Sequence, residues 1–553
     1  MTSEHQQPQS KTSLESRGLL PGDELQRKLS EPLQSHYDFI VCGSGSSGSV
    51  VAGRLAEDKS VTVLLIEAGE HDEAETVMIA AQWPLNLGSQ RSWNYTSQPN
   101  PNLNRRTLPI DAGKTLGGGS SINVMTWAQG HKSDWDYFAS EADDPEWGYD
   151  SVRKIYCRIE DWHGSPDPGV RGQGGPVHIE PAQAPNPIAN ALLEAAALIG
   201  IPTFSGHNGR MMEESEGASL VESCIRDGRR QSIFRSYVYP YIHRRNLTVV
   251  VCTQVSRLLF RGTQAVGVEV IRGGRTHEIF ADSEIILSLG AIQTPKVLMQ
   301  SGLGDKVPLE RHGIGVVQHL PGVGQNYQDH VAMDVVWEYR EPLEPRNSMC
   351  EAVLFSKSDP NLDGPDIQGV GVEVPLSSIA NSKRYELPVA GWGFFGGNVR
   401  PKSRGHLELT GPDPSDPIEI YGNDLSHPED LNVALASIDL FRKIGNSLPM
   451  QKFTKREIMP GPLSGTALEE YIRNAARTFY HQSCTAKMGV DEMSVVDGHL
   501  RVYGISNLRI ADGSIMPRVT TGNTMAPCVV IGERAADLIK REHKITATRS
   551  GEL

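Results

Sequence analysis

Three glycines, Gly43, Gly45 and Gly48, stand in the spacing G-x-G-x-x-G. A carboxylate, Glu67, follows at close to the roughly 20-residue distance at which an acid accepts from ribose hydroxyls. The first glycine permits a tight turn, the second lets the backbone approach a pyrophosphate, and the third lets a helix pack close to a strand. Free N–H groups at the helix start, with the helix dipole, attract the phosphate charge. The chemistry implied is dinucleotide binding. A second cluster, GKTLGGGSSIN at 113–123, has three glycines and two serines in a row. It suits either a backbone nest for an anion or flat ring, or a flexible surface loop.

The elements that must position these residues are legible around them. Residues 38–42 form a short, mostly apolar run suited to a buried parallel strand. Residues 46–57 carry Val50, Val51 and Leu55 at helical spacing, and 61–66 read as a second buried strand ending at Glu67. No second G-x-G-x-x-G follows in a strand–helix context, so the single nucleotide site leans to FAD rather than to a flavin enzyme with its own NAD(P)H domain. The runs 246–260 and 265–271 read as hairpin strands beside the nucleotide unit, and 285–289 as a further buried strand opening a helix at Gly290. Residues 331–417 alternate and are aromatic in places, as in VAGWGFFGGN at 389–398, which predicts a mainly antiparallel sheet. Residues 428–446 and 465–477 have the apolar spacing of amphipathic helices, and 528–540 of a closing helix.

The chain has 553 residues, too many for one ordinary domain, and two intertwined domains are expected. Its 53 Lys and Arg against 67 Asp and Glu give a net charge of −14, which opposes nonspecific nucleic-acid or anionic-membrane binding. No apolar run approaches the roughly 20 residues of a membrane span. The first 36 residues are mostly polar, contain Pro8, Pro21 and Pro32, and lack the apolar core of a secretory signal. They read as a disordered arm or a surface strap. Seven scattered cysteines without C-x-x-C indicate neither a disulfide framework nor a zinc site, and Cys42 and Cys252 read as small core residues. A cytoplasmic location is expected.

With these elements in place, the chain resembles the glucose–methanol–choline oxidoreductase family of FAD enzymes over 37–539. The match rests on the fingerprint and on five further segments in order: 113–136, 290–304, 321–330 (PGVGQNYQDH), 480–489 (YHQSCTAKMG) and 508–527 (LRIADGSIMPRVTTGNTMAP). The resemblance implies an α/β fold: a Rossmann-like FAD domain with a parallel sheet, and a substrate domain with a largely antiparallel sheet over the flavin. The implied divisions are a polar extension (1–36), a first FAD-binding part (37–160), a substrate-domain insertion (161–230), a second FAD-binding part (231–330), a substrate domain (331–478) and a C-terminal catalytic segment (479–545). It also implies cofactor contacts at Gly43, Gly45, Ser46, Ser47, Gly48, Glu67, Gly113, Gly118, Ser120, Asn123, Val124, Val255, Asp512, Asn523, Thr524 and Met525.

The activity implied is oxidation of an alcohol, primary by expectation, to an aldehyde, with oxygen or another compound as electron acceptor. Histidine suits removal of the hydroxyl proton because it titrates near neutrality. The resemblance selects His481 as that base and Asn523 as the group that donates to the substrate oxygen. His330 and His499 read as structural. Trp392, Phe394 and Phe395 either wall a substrate cavity or form sheet core, and Tyr480 either shapes the pocket or packs. Three departures stand out. Ile122 replaces a histidine that some members join to the flavin, so FAD is expected to be noncovalent. Cys484 stands where the family usually has glycine, and Met525 where many members have a polar residue. Hydroxynitrile-lyase and photodecarboxylase chemistry on the same fold are the alternatives. No metal is called for.

Overall fold

The computed structural model describes residues 23–545. Two seven-stranded sheets organise it. The first runs Leu247–Val250, Val63–Ile66, His36–Cys42, Arg275–Leu287, Gln264–Arg272 and Thr253–Arg261, with Leu508–Ile510 pairing the fourth of these. The His36–Cys42 strand is parallel to both neighbours. Its residues Phe39, Ile40, Val41 and Cys42, and all of Val63–Ile66, are buried. Such continuous apolar runs are what a strand covered on both faces needs. Arg275–Leu287 serves two partners: its first half is antiparallel to Gln264–Arg272, its second parallel to His36–Cys42 and Leu508–Ile510. The N-terminal, middle and C-terminal parts of the chain therefore share one sheet.

The run 246–260 is two strands rather than one. Leu247–Val250 extends the parallel sheet beside Val63–Ile66. The chain then turns at Cys252, in the left-handed region with φ 51°, and Thr253–Arg261 opens the antiparallel hairpin. Cys252 is exposed at this break, unlike buried Cys42, which corrects its reading as a core residue. Of the two readings of the polar extension, its described part fits the surface strap and not the disordered arm. Helix Asp23–Leu29 lies within it, Leu25 is fully buried, and Lys28 Nζ donates to the carbonyls of Arg244 and Leu247. The segment up to residue 22 lies outside the described residues.

The second sheet runs Thr454–Met459, Val331–Tyr339, Gly391–Asn398, Ile367–Val372, Cys350–Ser356 and Gly217–Leu220, with Arg477–Thr478 pairing Val331–Tyr339. Every pairing in it is antiparallel. Its two faces differ. One packs on helices Pro187–Leu198 and Pro428–Gly445 through Trp337, Trp392, Phe394, Ala352 and Leu354. Glycines make room there: a Cβ on Gly369 would come 2.5 Å from the Phe441 ring, and one on Gly371 2.4 Å from Leu192. The other face presents Val353, Phe355, Val370 and Val372. Among the described residues no helix is long and apolar enough to cross a membrane.

Candidate active site

The glycine loop sits where His36–Cys42 meets helix Ser46–Ala56. Gly43 takes φ 99°, and a Cβ on it would strike the Ser288 carbonyl at 2.3 Å. A Cβ on Gly48 would come within 1.9 Å of the Gly43 carbonyl, so the helix can approach the strand only with glycine there. Gly45 has nothing within 4 Å of its Cβ direction, which leaves the loop open on that side. The second cluster packs directly on the first. Gly118, at the start of the short turn Gly118–Ser121, would put a Cβ 2.7 Å from the Gly45 Cα, and one on Gly113 would strike Gly118 at 2.2 Å. Gly119, like Gly45, faces open space. Of the two readings left for 113–123, the structure therefore favours the nest over the flexible loop.

Two uncapped helix N-termini meet here. Helix Met525–Glu542 crosses Ser46–Ala56, and Gly532 permits the contact, since its Cβ would come 2.7 Å from the Ser47 carbonyl. Ser47 Oγ donates to the Cys528 carbonyl at 2.7 Å. Neither Gly45 nor Thr524 caps its helix with a side chain, so free N–H groups and both dipoles favour negative charge in this corner. Ser46 lies half-buried in the first turn.

Glu67 is buried at the end of its strand. One oxygen accepts from the Ser44 N–H and hydroxyl and the other from the Gly69 N–H. Burial pushes its carboxyl above the usual range, against those three donors. Val255 lies two residues beyond Thr253, whose N–H donates to the Glu67 carbonyl. Ser120 donates to the Gly117 carbonyl and accepts from Ile233 N. Asn123 accepts from Arg230 at 2.7 Å and donates to the Met525 sulfur at 3.1 Å, so two residues 402 apart in sequence meet. Val124 packs on the apolar face of the second sheet. Asp512 accepts from Ser514 N, Gly290 N and the Thr294 hydroxyl, which ties the 290–304 segment to the C-terminal one.

His481 and Asn523 are in contact. Asn523 Nδ2 lies 3.2 Å from His481 Nε2. Gln368, from the second sheet, donates to Asn523 Oδ1 at 3.3 Å. On its other side His481 Nδ1 lies 2.9 Å from His330 Nδ1. Buried Asp329 accepts the His481 backbone N–H at 2.9 Å, and Phe479 stacks on the imidazole with centroids 5.1 Å apart. Burial, together with the neighbouring His330, holds His481 well below the usual histidine range. Burial likewise lowers His330 to about 3 and raises Asp329 to about 7. His481 is thus neutral at ordinary pH, the state in which a ring nitrogen can accept a proton.

The pocket reading of Trp392 and Phe394 is corrected. Both are buried on the helix-facing side of the sheet, Trp392 stacked on Trp337 at 4.4 Å and Phe394 on Phe441 at 4.7 Å. Side chains alternate along a strand, so Phe395 takes the opposite face. It meets Phe479 at 4.7 Å, with the Arg477 guanidinium 4.4 Å over its ring. Tyr480, at φ 64°, lines a groove of about 900 Å³ with Thr478, Arg477 and residues of 104–109 and 377–384. Ile122 is buried just after the glycine turn, and Cys484 is buried at φ 77°. The residues that sequence reasoning missed are Asp329, Gln368 and His330, the last read as structural. The signal for Asp329 and His330 was the 321–330 segment itself, which ends on them, whereas nothing in the sequence marked Gln368.

The family model described as GMC oxidoreductase matches residues 37–332 in its N-terminal part and 401–532 in its C-terminal part. An oxygen-dependent choline dehydrogenase of Rhizobium etli is 35% identical over 537 residues, covering 91% of this chain and 95% of the relative. The mitochondrial choline dehydrogenase of Mus musculus is 34% identical over 548 residues, covering 92% and 90%. Among solved structures, pyridoxine 4-oxidase from Mesorbium loti superposes with a TM-score of 0.86 at 30% identity, covering 92% of this chain and all of that one. The chain belongs to the GMC oxidoreductase family. It is an FAD-dependent oxidoreductase acting on CH–OH donors.

The cradle fits the FAD of a GMC oxidoreductase. Gly45, Gly119 and Gly290 all face open space, which a side chain at any of them would fill. Arg230 Nη2 is buried beside Asn123 without a hydrogen-bond partner. A ligand with acceptor oxygens would supply what these groups lack.

Proposed function

We propose that the protein oxidises a neutral primary alcohol with an apolar or aromatic body to the aldehyde, with His481 as base and Asn523 as the group that holds the substrate oxygen. FAD, held noncovalently in the glycine cradle, would supply the hydride acceptor. The observation that carries this reading is the directed chain Gln368 to Asn523 to His481 to His330. Gln368 fixes the Asn523 carbonyl oxygen, so the Asn523 amide N–H points at His481 Nε2. If Nδ1 of His481 carries the ring proton and donates to His330, Nε2 presents its lone pair toward the same place. A hydroxyl entering between Nε2 and Nδ2 gives its proton to the first and accepts from the second. Negative charge gathering on the oxygen then meets an oriented donor in a site with little water.

Asp329 and Phe479 hold His481 in place, the first with a carboxylate oxygen that accepts the His481 backbone N–H and the second by stacking on the imidazole. Ile122 offers no nucleophilic or acidic atom for a covalent flavin link. Near Asn523, Val353, Phe355, Val370 and Val372 of the second sheet cluster with Met211, Met212 and Phe479. The buried carboxylate on that face, Asp334 opposite Phe395, is held by Arg477 at 2.6 Å, and Arg477 also lies over the Phe395 ring. A quaternary ammonium, the substrate class named for the choline dehydrogenases, would have to compete with Arg477 for Asp334 on this wall. Pyridoxine, named for the solved oxidase, is of the neutral aromatic class that the wall favours.

The test is anaerobic mixing of the FAD-loaded protein with benzylic, furanic and aliphatic alcohols and choline, in the dark, watching the flavin bleach. Benzylic or furanic alcohols should reduce it fastest. Choline outpacing them overturns the substrate class, and no bleaching by any alcohol favours lyase or photodecarboxylase chemistry. His481→Ala should keep FAD yet slow bleaching by about 10²- to 10⁴-fold, and Asn523→Ala by about 10²-fold. Acid precipitation should leave the yellow colour in the supernatant, whereas a coloured pellet refutes noncovalent binding.

A further inference from the structure

Away from the flavin cradle, the short parallel strands Glu160–Trp162 and Val177–Pro181 lie side by side with Asp161 opposite His178. The ladder continues one residue further, His163 N–H donating to the Ile179 carbonyl at 2.9 Å. Asp161 and His163 are two apart on one strand, and His178 and Glu180 two apart on the other. Alternation therefore puts all four on one face of the pair. Among the described residues, Asp161, His163 and His178 are the one grouping of His, Cys, Asp and Glu compact enough to hold an ion, with a ligand atom from each within 4.8 Å of the others.

The details fit a metal better than a plain ion-pair cluster. The two imidazole rings are 4.3 Å apart, an arrangement that two free histidines do not need. His163 Nε2 lies 2.7 Å from Asp161 Oδ2, so both atoms already face one point. His178 is nine-tenths buried, and its Nδ1 has no hydrogen-bond partner. Its Nε2 faces Glu180 Oε2 at 3.4 Å. A proton on Nε2, held toward that carboxylate, leaves Nδ1 with a lone pair, the way an outer carboxylate fixes the tautomer of a ligating histidine.

We propose that Asp161, His163 and His178 form a site for one divalent transition-metal ion of zinc's class, with Glu180 orienting His178 and solvent completing the shell. Two imidazoles and a carboxylate suit zinc and its neighbours, while magnesium and calcium prefer oxygen ligands. Ligand atoms about 2.0–2.2 Å from the ion require only that the His163–Asp161 contact open and the wider pairs close. Binding displaces a proton only from a ligating ring nitrogen, leaves the Nε2–H of His178 toward Glu180, and involves no redox change. The ion joins the two strands at the base of the 164–176 loop. Within that loop, Arg171 reaches inward to bridge Glu160 and Glu222.

The experiment uses the untagged, FAD-loaded full chain, stripped with chelator and dialysed against zinc chloride, with bound metal and the thermal midpoint both measured. His163→Ala is the informative variant, because 46% of that side chain is exposed and the fold does not rest on it. One zinc per chain should bind, and it should raise the midpoint. His163→Ala should weaken binding roughly a hundredfold and abolish that rise, with FAD content unchanged. His243→Ala, another exposed histidine, should behave as the unaltered chain. No zinc on the unaltered chain, or equal zinc on His163→Ala, overturns the site. Zinc bound with no change in midpoint overturns its bracing role.

Discussion

Replacing His330 tests whether the base is set by its neighbour. The two Nδ1 atoms, 2.9 Å apart, cannot both carry a proton. For His481 Nε2 to accept from a substrate, its Nδ1 must donate and His330 must accept. His330→Leu removes that acceptor inside a buried site and leaves the Nδ1–H unpaired, at about 1–3 kcal/mol. The other tautomer, with the proton on Nε2, then competes and cannot act as base. At 1.36 kcal/mol per decade, the loss predicts roughly a fivefold to hundredfold slower reductive step. That is less than the loss expected of His481→Ala, because the imidazole is still present. His330→Asn sets an amide oxygen near the position of Nδ1 and should recover most of the rate. The assay is anaerobic stopped-flow flavin reduction by a working alcohol, with FAD content matched. A His330→Leu enzyme at the unaltered rate, or His330→Asn as slow as His330→Leu, refutes the reasoning.

Four further outcomes are expected. Burial and His330 together depress the His481 pKa, so the base is already free at neutral pH. The limb that belongs to His481 should lie in acid, below the ordinary histidine range and apart from any step near 7 set by Asp329; an Asp329→Asn enzyme whose limb is still centred at or above 7 contradicts this. Glu67→Ala should lose FAD on gel filtration, since about 1.5–3 kcal/mol of charged hydrogen bonding disappears and the Ser44–Gly69 corner loosens; full FAD retention with lost turnover would not fit. Trp392→Ala should cost about 3–5 kcal/mol in denaturant unfolding, whereas Phe395→Ala should chiefly alter KM; the reverse pattern would return Trp392 to the pocket. Cys484→Gly trades about 1–3 kcal/mol of left-handed strain against lost packing and about 0.5–1 kcal/mol of chain entropy, so its stability should stay within about 1 kcal/mol, and a larger loss would deny the strain.

The nucleotide unit was legible because its constraints are local. A tight turn at Gly43, a close approach at Gly48 and an acid at the strand end are each written within thirty residues, and the structure builds each from backbone contacts. The family's usual glycine at position 484 also has a local cause, for at φ 77° glycine is the residue without a steric cost, and Cys484 departs from it against that cost. The pocket was not legible, because the parity of a strand decides it. In GWGFFGGN every aromatic residue looks alike, and only the pairing of Val335 with Phe394 and Asp334 with Phe395 shows which side faces the helices. Nor could spacing show that His330 and His481, 151 residues apart, meet ring to ring. The run 246–260 misled for a related reason: a continuous apolar stretch hides the turn at Cys252 that sends its halves to different places in the sheet.

The same parity links the substrate sheet to the chemistry. Gln368 reaches Asn523 because Ile367–Val372 pairs with Gly391–Asn398 in a register that sets Gln368 against Gly397. A slip of one residue would bring Gly369 to that position and turn Gln368 toward the helices, where a buried amide has no partner. The same slip in Gly391–Asn398 would exchange Phe395 for Phe394 on the cavity face. The glycines that line the helix side resist both errors. At Gly369 and Gly371 there is no room for any larger side chain against Phe441 and Leu192. Packing on the far face of the sheet thus selects the register, and the register selects which amide orients Asn523. The orientation of Asn523 and of His481, the proposed base, is therefore a consequence of how the sheet is packed, as much as of the residues that touch them.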